Sequence, residues 1–213
     1  MKLIYLATRK PGFSADDFTR RWRMHGAVAM STPFWRHALC YVQAEVVRPV
    51  TLAGASQAYD GVAYLTLKDS AFAAPRAAED EASSQTLLED EKHTFAGPIP
   101  QVSLWVEEEP IKAGEPGGMT AFLFFCDAAK ARRTAEGLRH EARLNRVTLD
   151  TKGSAGHFPS TLPFEAVVEV SAFSAEVLAK VAQAPLEDAD LAVVTRECVL
   201  WDRRAANSTA DPA

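Results

Sequence analysis

The chain is poor in cysteine, and its three cysteines form no pattern. Cys40, Cys126 and Cys198 are odd in number and widely spaced, which argues against a disulfide framework and a CxxC metal or redox motif. The expected compartment is the reducing cytoplasm. No apolar run is long enough to span a bilayer, so no membrane contact is expected. The opening MKLIYLATRKPGF lacks a small-residue cleavage site and reads as a strand, not a signal peptide. Positive charge is also in deficit: 23 Lys and Arg against 28 Asp and Glu give a net charge of -5, and no basic stripe forms, which argues against nucleic acid as a partner. The histidines make no HxH or HxxxH pair, so a metal site is not expected. GEPGG opens neither a phosphate loop nor a dinucleotide fingerprint, and no GxSxG elbow occurs, which excludes an α/β-hydrolase.

What remains is an ordinary globular composition, with 47% hydrophobic and 24% charged residues. The 213 residues suffice for one large domain or two of about 100 residues each. Residues 2–9 read as a strand apolar on both faces. Pro11-Gly12 breaks it, and Ser14 with Asp17 caps a helix. On that helix Phe18, Trp22, His25 and Ala29 share one face, and Gly26 suggests a stop directly after His25. Strands are expected over 39–47 and 59–67, an acidic helix over 70–95 interrupted near Pro75, and a strand over 101–109. The Pro/Gly-rich stretch 110–118 reads as a linker. The order then restarts: strand 119–127, helix 128–144, short strands from Arg146 and from Pro163, a capped helix 174–184 and a strand 191–202, before a flexible tail 205–213.

Each half therefore has the order strand, helix, strand, strand, helix, strand, a ferredoxin-like unit. The expected fold is α+β: two tandem ferredoxin-like βαββαβ repeats, 1–109 and 119–204, pack their antiparallel sheets into a single-chain α/β barrel. The expected result is helices outside and a central cavity. Such a chain closes its own barrel, so monomer and homodimer both remain open.

The first half resembles the EthD family of the dimeric α/β-barrel superfamily. The resemblance rests on Lys10–Ser14, Trp22–Ala27, Tyr41–Gln43, Asp60-Gly61, and Asp90-Glu91 ahead of Phe95. Two positions depart from the family pattern: His25 follows Trp22 and Arg23 one residue early, and Ala27 stands in place of a proline. The resemblance implies an apolar pocket and no metal or organic cofactor. Relatives in the superfamily include lyases, dehydratases, isomerases, cofactor-free oxygenases and haem binders, so it implies a fold more firmly than a reaction.

His25 is the first candidate, either as a proton-transfer group or as a packed residue or helix-end cation. Tyr41 and Tyr64 are candidates to polarise a substrate oxygen, or are core aromatics. Tyr5, Trp22, His93, Phe95 and Trp105 are candidate substrate contacts. Asp90 and Glu91 are candidate orienting carboxylates, or a solvated helix face. Glu169 lies inside a strand and needs a partner if buried. His140 and His157 are not placed in the site. The expectation is a cofactor-free acid–base lyase, of dehydratase or isomerase type. Its substrate would be a small hydrophobic, hydroxylated aromatic or polycyclic molecule held in the barrel's central cavity, where His25 moves a proton and Tyr41 or Tyr64 polarises an oxygen. The alternatives are a cofactor-free monooxygenase, a non-catalytic binding protein for an apolar metabolite, and a haem binder.

Overall fold

The computed structural model describes residues 1–48, 52–72, 77–153 and 160–204. The expected break near Pro75, His157 and the tail 205–213 lie outside these residues. The first half contains β1 (Lys2–Ala7), α1 (Ala15–Ser31), β2 (Ala38–Val46), β3 (Gly61–Leu67), α2 (Ala78–Thr94) and β4 (Ser103–Lys112). The second half contains β5 (Gly118–Phe125), α3 (Ala128–Gly137), β6 (Arg146–Lys152), β7 (Ala166–Ala172), α4 (Ala175–Asp188) and β8 (Leu191–Asp202). No helix among the described residues is long and apolar enough to cross a membrane.

All eight strands form one closed antiparallel barrel in the order β1-β3-β2-β8-β5-β7-β6-β4. Each half contributes four neighbouring strands, β4-β1-β3-β2 and β8-β5-β7-β6. The seams β2–β8 and β4–β6 join the halves. Closure leaves this sheet no open edge among the described residues. The architecture is the expected single-chain α+β barrel.

Side chains alternate across the sheet, so each strand serves two layers. One set fills the barrel, with Ile4, Leu6, Val42, Tyr64, Phe122, Phe124 and Val193 in contact. The other set packs outward under helices. Tyr5, Tyr41 and Ala63 meet Phe18, Trp22 and Phe95 in the first half. Leu123, Val168 and Val194 meet Ala131, Ala135, Leu178 and Ala182 in the second.

Three local expectations are corrected. Helix α1 does not stop after His25 but runs on to Ser31, and Thr32 caps it ahead of Pro33. Gly26 serves close approach instead: a Cβ there would sit 2.7 Å from Leu200 Cδ1 and 3.1 Å from Gln43 Nε2. β4 continues through Pro110 to Lys112, within the stretch read as linker; a register shift near Pro110 accommodates the residue that cannot donate. α3 ends at Gly137 rather than 144, and Lys112 Nζ donates to the carbonyls of Glu141 and Leu144 in the turn that follows.

Candidate functional site

Ser14 and Asp17 form a reciprocal capping box that starts α1, with Asp17 N–H 3.1 Å from Ser14 Oγ. The helix then buries Phe18, Trp22, His25, Gly26 and Ala29 on one side. That stripe lies against the first-half sheet and the C-terminal part of α2. There Asp90 meets His25, with Oδ2 2.7 Å from Nδ1. Arg21, one turn earlier on α1, donates from Nη2 to Asp90 Oδ1. Asp90 thus uses one oxygen for each partner. Phe95, just past α2, sets its ring edge-on to the imidazole with centroids 5.2 Å apart.

Burial pushes the His25 pKa below its ordinary value, although Asp90 pulls the other way. The imidazole is therefore neutral near pH 7. Burial raises the Asp90 carboxyl, but the hydrogen bonds from Arg21 and His25 outweigh it and hold the pKa low. An ionised Asp90 can only accept, so Nδ1 of a neutral His25 carries the proton and Nε2 the lone pair. Nε2 makes no hydrogen bond among the described residues, and the side chain keeps 8% of its surface.

Beneath α1 lies a second polar group. The hydroxyls of Tyr5 and Tyr41 are 3.2 Å apart. Trp22 Nε1 donates to Tyr5 over 3.0 Å, and Gln43 Nε2 donates to Tyr41 over 2.8 Å. Arg23 donates to Gln43 and Glu45. Burial pushes both phenols above their ordinary range. Glu91, beside Asp90, is pushed up to about 7 by burial and by the neighbouring charge, against a hydrogen bond from the Ile99 N–H. Neither tyrosine hydroxyl bonds to His25.

An open groove of about 660 Å³ runs over the α1–α2 seam, lined by Arg21, Met24, Ala27, Val28, Ser31, Asp90 and His93. Met24 is 62% exposed in this floor. His93 lies here, as do Arg21 and Asp90, the two partners in the contact beside His25; the imidazole itself is not part of the lining.

The structure does not bring all candidates together. Tyr5, Trp22, His25, Tyr41, Asp90 and Phe95 gather between the sheet and its helices, outside the barrel, so the expectation that His25 and the tyrosines line a central cavity is corrected. The reason is parity: the residues opposite Tyr41 and Tyr64 in the β2–β3 register are Leu65 and Val42, so the two tyrosines face opposite sides. Tyr64 points into the barrel, where it accepts from Arg146 Nη1 over 3.1 Å. Trp105 packs against Phe72, centroids 5.2 Å apart, beside the first-half layer outside the barrel.

The interior around Tyr64 holds a buried ion cluster, of which sequence reasoning marked only Glu169. Lys2 Nζ lies 2.7 Å from Glu169 and 3.1 Å from Asp150. Arg146 lies 2.9 Å from Glu169 and 2.7 Å from Glu197. Burial pushes the Asp150 carboxyl well above its ordinary range, despite Lys2. The overlooked signal was alternation: Arg146, Thr148 and Asp150 put polar side chains on one face of a buried strand. Arg21 was also missed, because its charge on a helix face reads as solvated. Among the described residues, no group of three His, Cys, Asp or Glu side chains could hold a metal ion.

Comparison with known proteins agrees with this architecture. Residues 10–99 match the EthD domain. The structure is similar to that of an "anthrone oxidase-like protein", with a TM-score of 0.55, 9% identity, and coverage of 95% of this chain and 94% of that one. It is also similar to a "putative monooxygenase" from Fusobacterium nucleatum subsp. nucleatum, with a TM-score of 0.49, 10% identity, and coverage of 94% and 92%. Another "putative monooxygenase", from Lactobacillus acidophilus, gives 0.48, 13% identity, and coverage of 93% and 92%. No curated protein matches the chain. At such identities the solved structures speak to the fold alone. The stretch similar to the EthD domain, residues 10–99, thus lies in the first half of a closed single-chain α/β barrel.

Proposed function

We propose that His25 is a general base acting on a small, apolar, hydroxylated aromatic or polycyclic molecule that lies in the α1–α2 groove. The observation that carries this reading is the His25–Asp90 pair, whose Asp90 lines the groove: a carboxylate holds Nδ1–H, which leaves a neutral imidazole with a free Nε2 lone pair. The lining of Met24, Ala27 and Val28 favours an apolar body, and Arg21 and His93 offer polar contacts for its oxygen atoms. Nε2 takes a proton from a C–H made acidic by a neighbouring oxygen function. The electron pair left on carbon then forms a double bond and expels hydroxide, which recovers the proton as water. That is a lyase of dehydratase type. Tyr5 and Tyr41 belong to the supporting network rather than to the proton transfer.

A second reading keeps the first step and hands the carbanion to O2. A methylene flanked by aromatic rings would consume one O2 and leave a carbonyl and one water. The fold likeness to a protein named anthrone oxidase-like is what places this reading second. Assays of hydroxylated polycyclic substrates, with an oxygen electrode in parallel, separate the two. His25→Gln is expected to lose about 10²–10⁴-fold in kcat with substrate binding retained. Unchanged turnover would sink the base assignment. A substrate that is bound by both proteins and returned unaltered by both would make this a binding protein.

A further inference from the structure

We infer that Arg21 is the positioning residue of this site: it locks the Asp90 carboxylate so that Asp90 selects one tautomer of His25. The inference deepens the proton-transfer reading above and rests on it for its functional meaning.

The geometry gives each atom of Asp90 one task. Arg21 Nη2 donates to Oδ1 and also faces the Asp90 carbonyl oxygen at 3.4 Å. The same carbonyl accepts from Thr94 Oγ1 over 3.0 Å. Arg21 therefore clasps both the side chain and the backbone of Asp90, near the end of α2. Oδ2 is left for His25 Nδ1. Arg21 and His25 are four residues apart on α1, one turn along the same face, so one helix presents both jaws to one carboxylate. Arg21 and Asp90 are both mostly buried, at 19% and 17% exposure, which limits solvent competition for the contact.

An aspartate held only by a histidine can rotate about its terminal torsion, which is broad and roughly two-fold. A charged donor on Oδ1 removes that freedom. The charges acting on the imidazole are Arg21 from α1 and Asp90 from α2, and Phe95 supplies a neutral wall. Asp90 is the one in hydrogen-bond contact with the ring. The tautomer is thus decided at that contact, and Nε2 is left as the acceptor.

The test is ¹⁵N NMR of the His25 ring in uniformly labelled protein, at a pH where the ring is neutral, for wild type, Arg21→Gln and Arg21→Lys. The nitrogen shifts report which atom holds the proton. Wild type is expected as a single Nδ1–H species. Arg21→Gln is expected to give a mixture, with kcat falling more than KM rises. Arg21→Lys is expected to restore much of the single species, because a point charge still reaches Oδ1. A thermal melt of each variant controls for folding, which a merely structural role would change without moving the tautomer. A pure Nδ1–H ring in Arg21→Gln, or an Nε2–H ring in wild type, would overturn the inference. If the tautomer responds as expected but His25→Gln keeps full turnover, the positioning stands and the catalytic reading fails.

Discussion

The two halves of the barrel share strand order and helix placement, yet they use the layer between sheet and helices differently. In the second half that layer is made of Leu, Val, Ala and Phe side chains such as Leu123, Phe125, Ala131, Val168, Leu178 and Val194. In the first half the same layer contains His25 paired with Asp90, two tyrosine hydroxyls in contact, and Gln43 bridging to Arg23. The second half directs its charges inward instead: Arg146, Asp150, Glu169 and Glu197 all enter the barrel. One architecture thus supports a dry seal on one side and a polar network on the other. The chemistry belongs to side-chain choice at the layer, not to the fold.

The sharpest way to break this comparison is to damage the second half. Glu169 is 1% exposed and neutralises both Lys2 and Arg146. Glu169→Ala would remove the carboxylate that these two buried cations share, leaving Lys2 with Asp150 and Glu108 and Arg146 with Glu197, and should cost about 3–5 kcal/mol, read from urea unfolding. The His25–Asp90 pair lies on the other side of the sheet and should keep its NMR signature. A cost under about 1 kcal/mol would mean that water already penetrates the cluster.

A smaller effect isolates the first half. Glu91 has a folded pKa of about 7 against an ordinary 4.5. Between those values the folded state holds a proton that the unfolded state has lost, so stability falls as pH rises through this window. The contribution is fully present below pH 4.5 and is lost above about 7. Glu91→Gln should therefore match wild type at pH 4 and exceed it at pH 8 by about 2 kcal/mol, a figure reduced for its partial exposure. A variant that lags behind wild type at pH 8 would show that the charged form has a partner.

The smallest effects compare two helical glycines. At Gly26 a methyl group would press on Leu200, Gln43 and Tyr41, while at Gly137 it would meet nothing within 4 Å. Overpacking of about 1–3 kcal/mol should exceed a helix-propensity gain of about 1, so Gly26→Ala should lose about 1 kcal/mol. Gly137→Ala should gain about 0.5. Thermal melts that shift the same way for both would remove the packing argument for Gly26.

Much of the fold was legible before any coordinates. The capping box at Ser14 and Asp17, the stripe Phe18-Trp22-His25-Ala29 and the limits of β8 at 191–202 follow from local chemistry and periodicity. Gly26 misled because glycine marks a helix end by conformational freedom and a helix crossing by lack of bulk, and sequence cannot separate the two. Pro110 misled because proline can sit in a strand at a register shift. Asp90 and Glu91 were adjacent candidates with the same chemistry. Only the turn of α2 decided that Asp90 meets His25 while Glu91 stays apart.

The sequence by itself determined the repeat, the antiparallel strands, the amphipathic first helix and the short roster of residues able to move a proton. Those depend on spacing along one chain. Tertiary structure alone decided that Tyr41 and Tyr64 face opposite layers, that Lys2 meets Glu169 across 167 positions, and that Arg21 and Asp90 close on each other over 69. Such pairings are set by sheet register and by how two helices cross it, and neither leaves a periodic trace in the residues that take part.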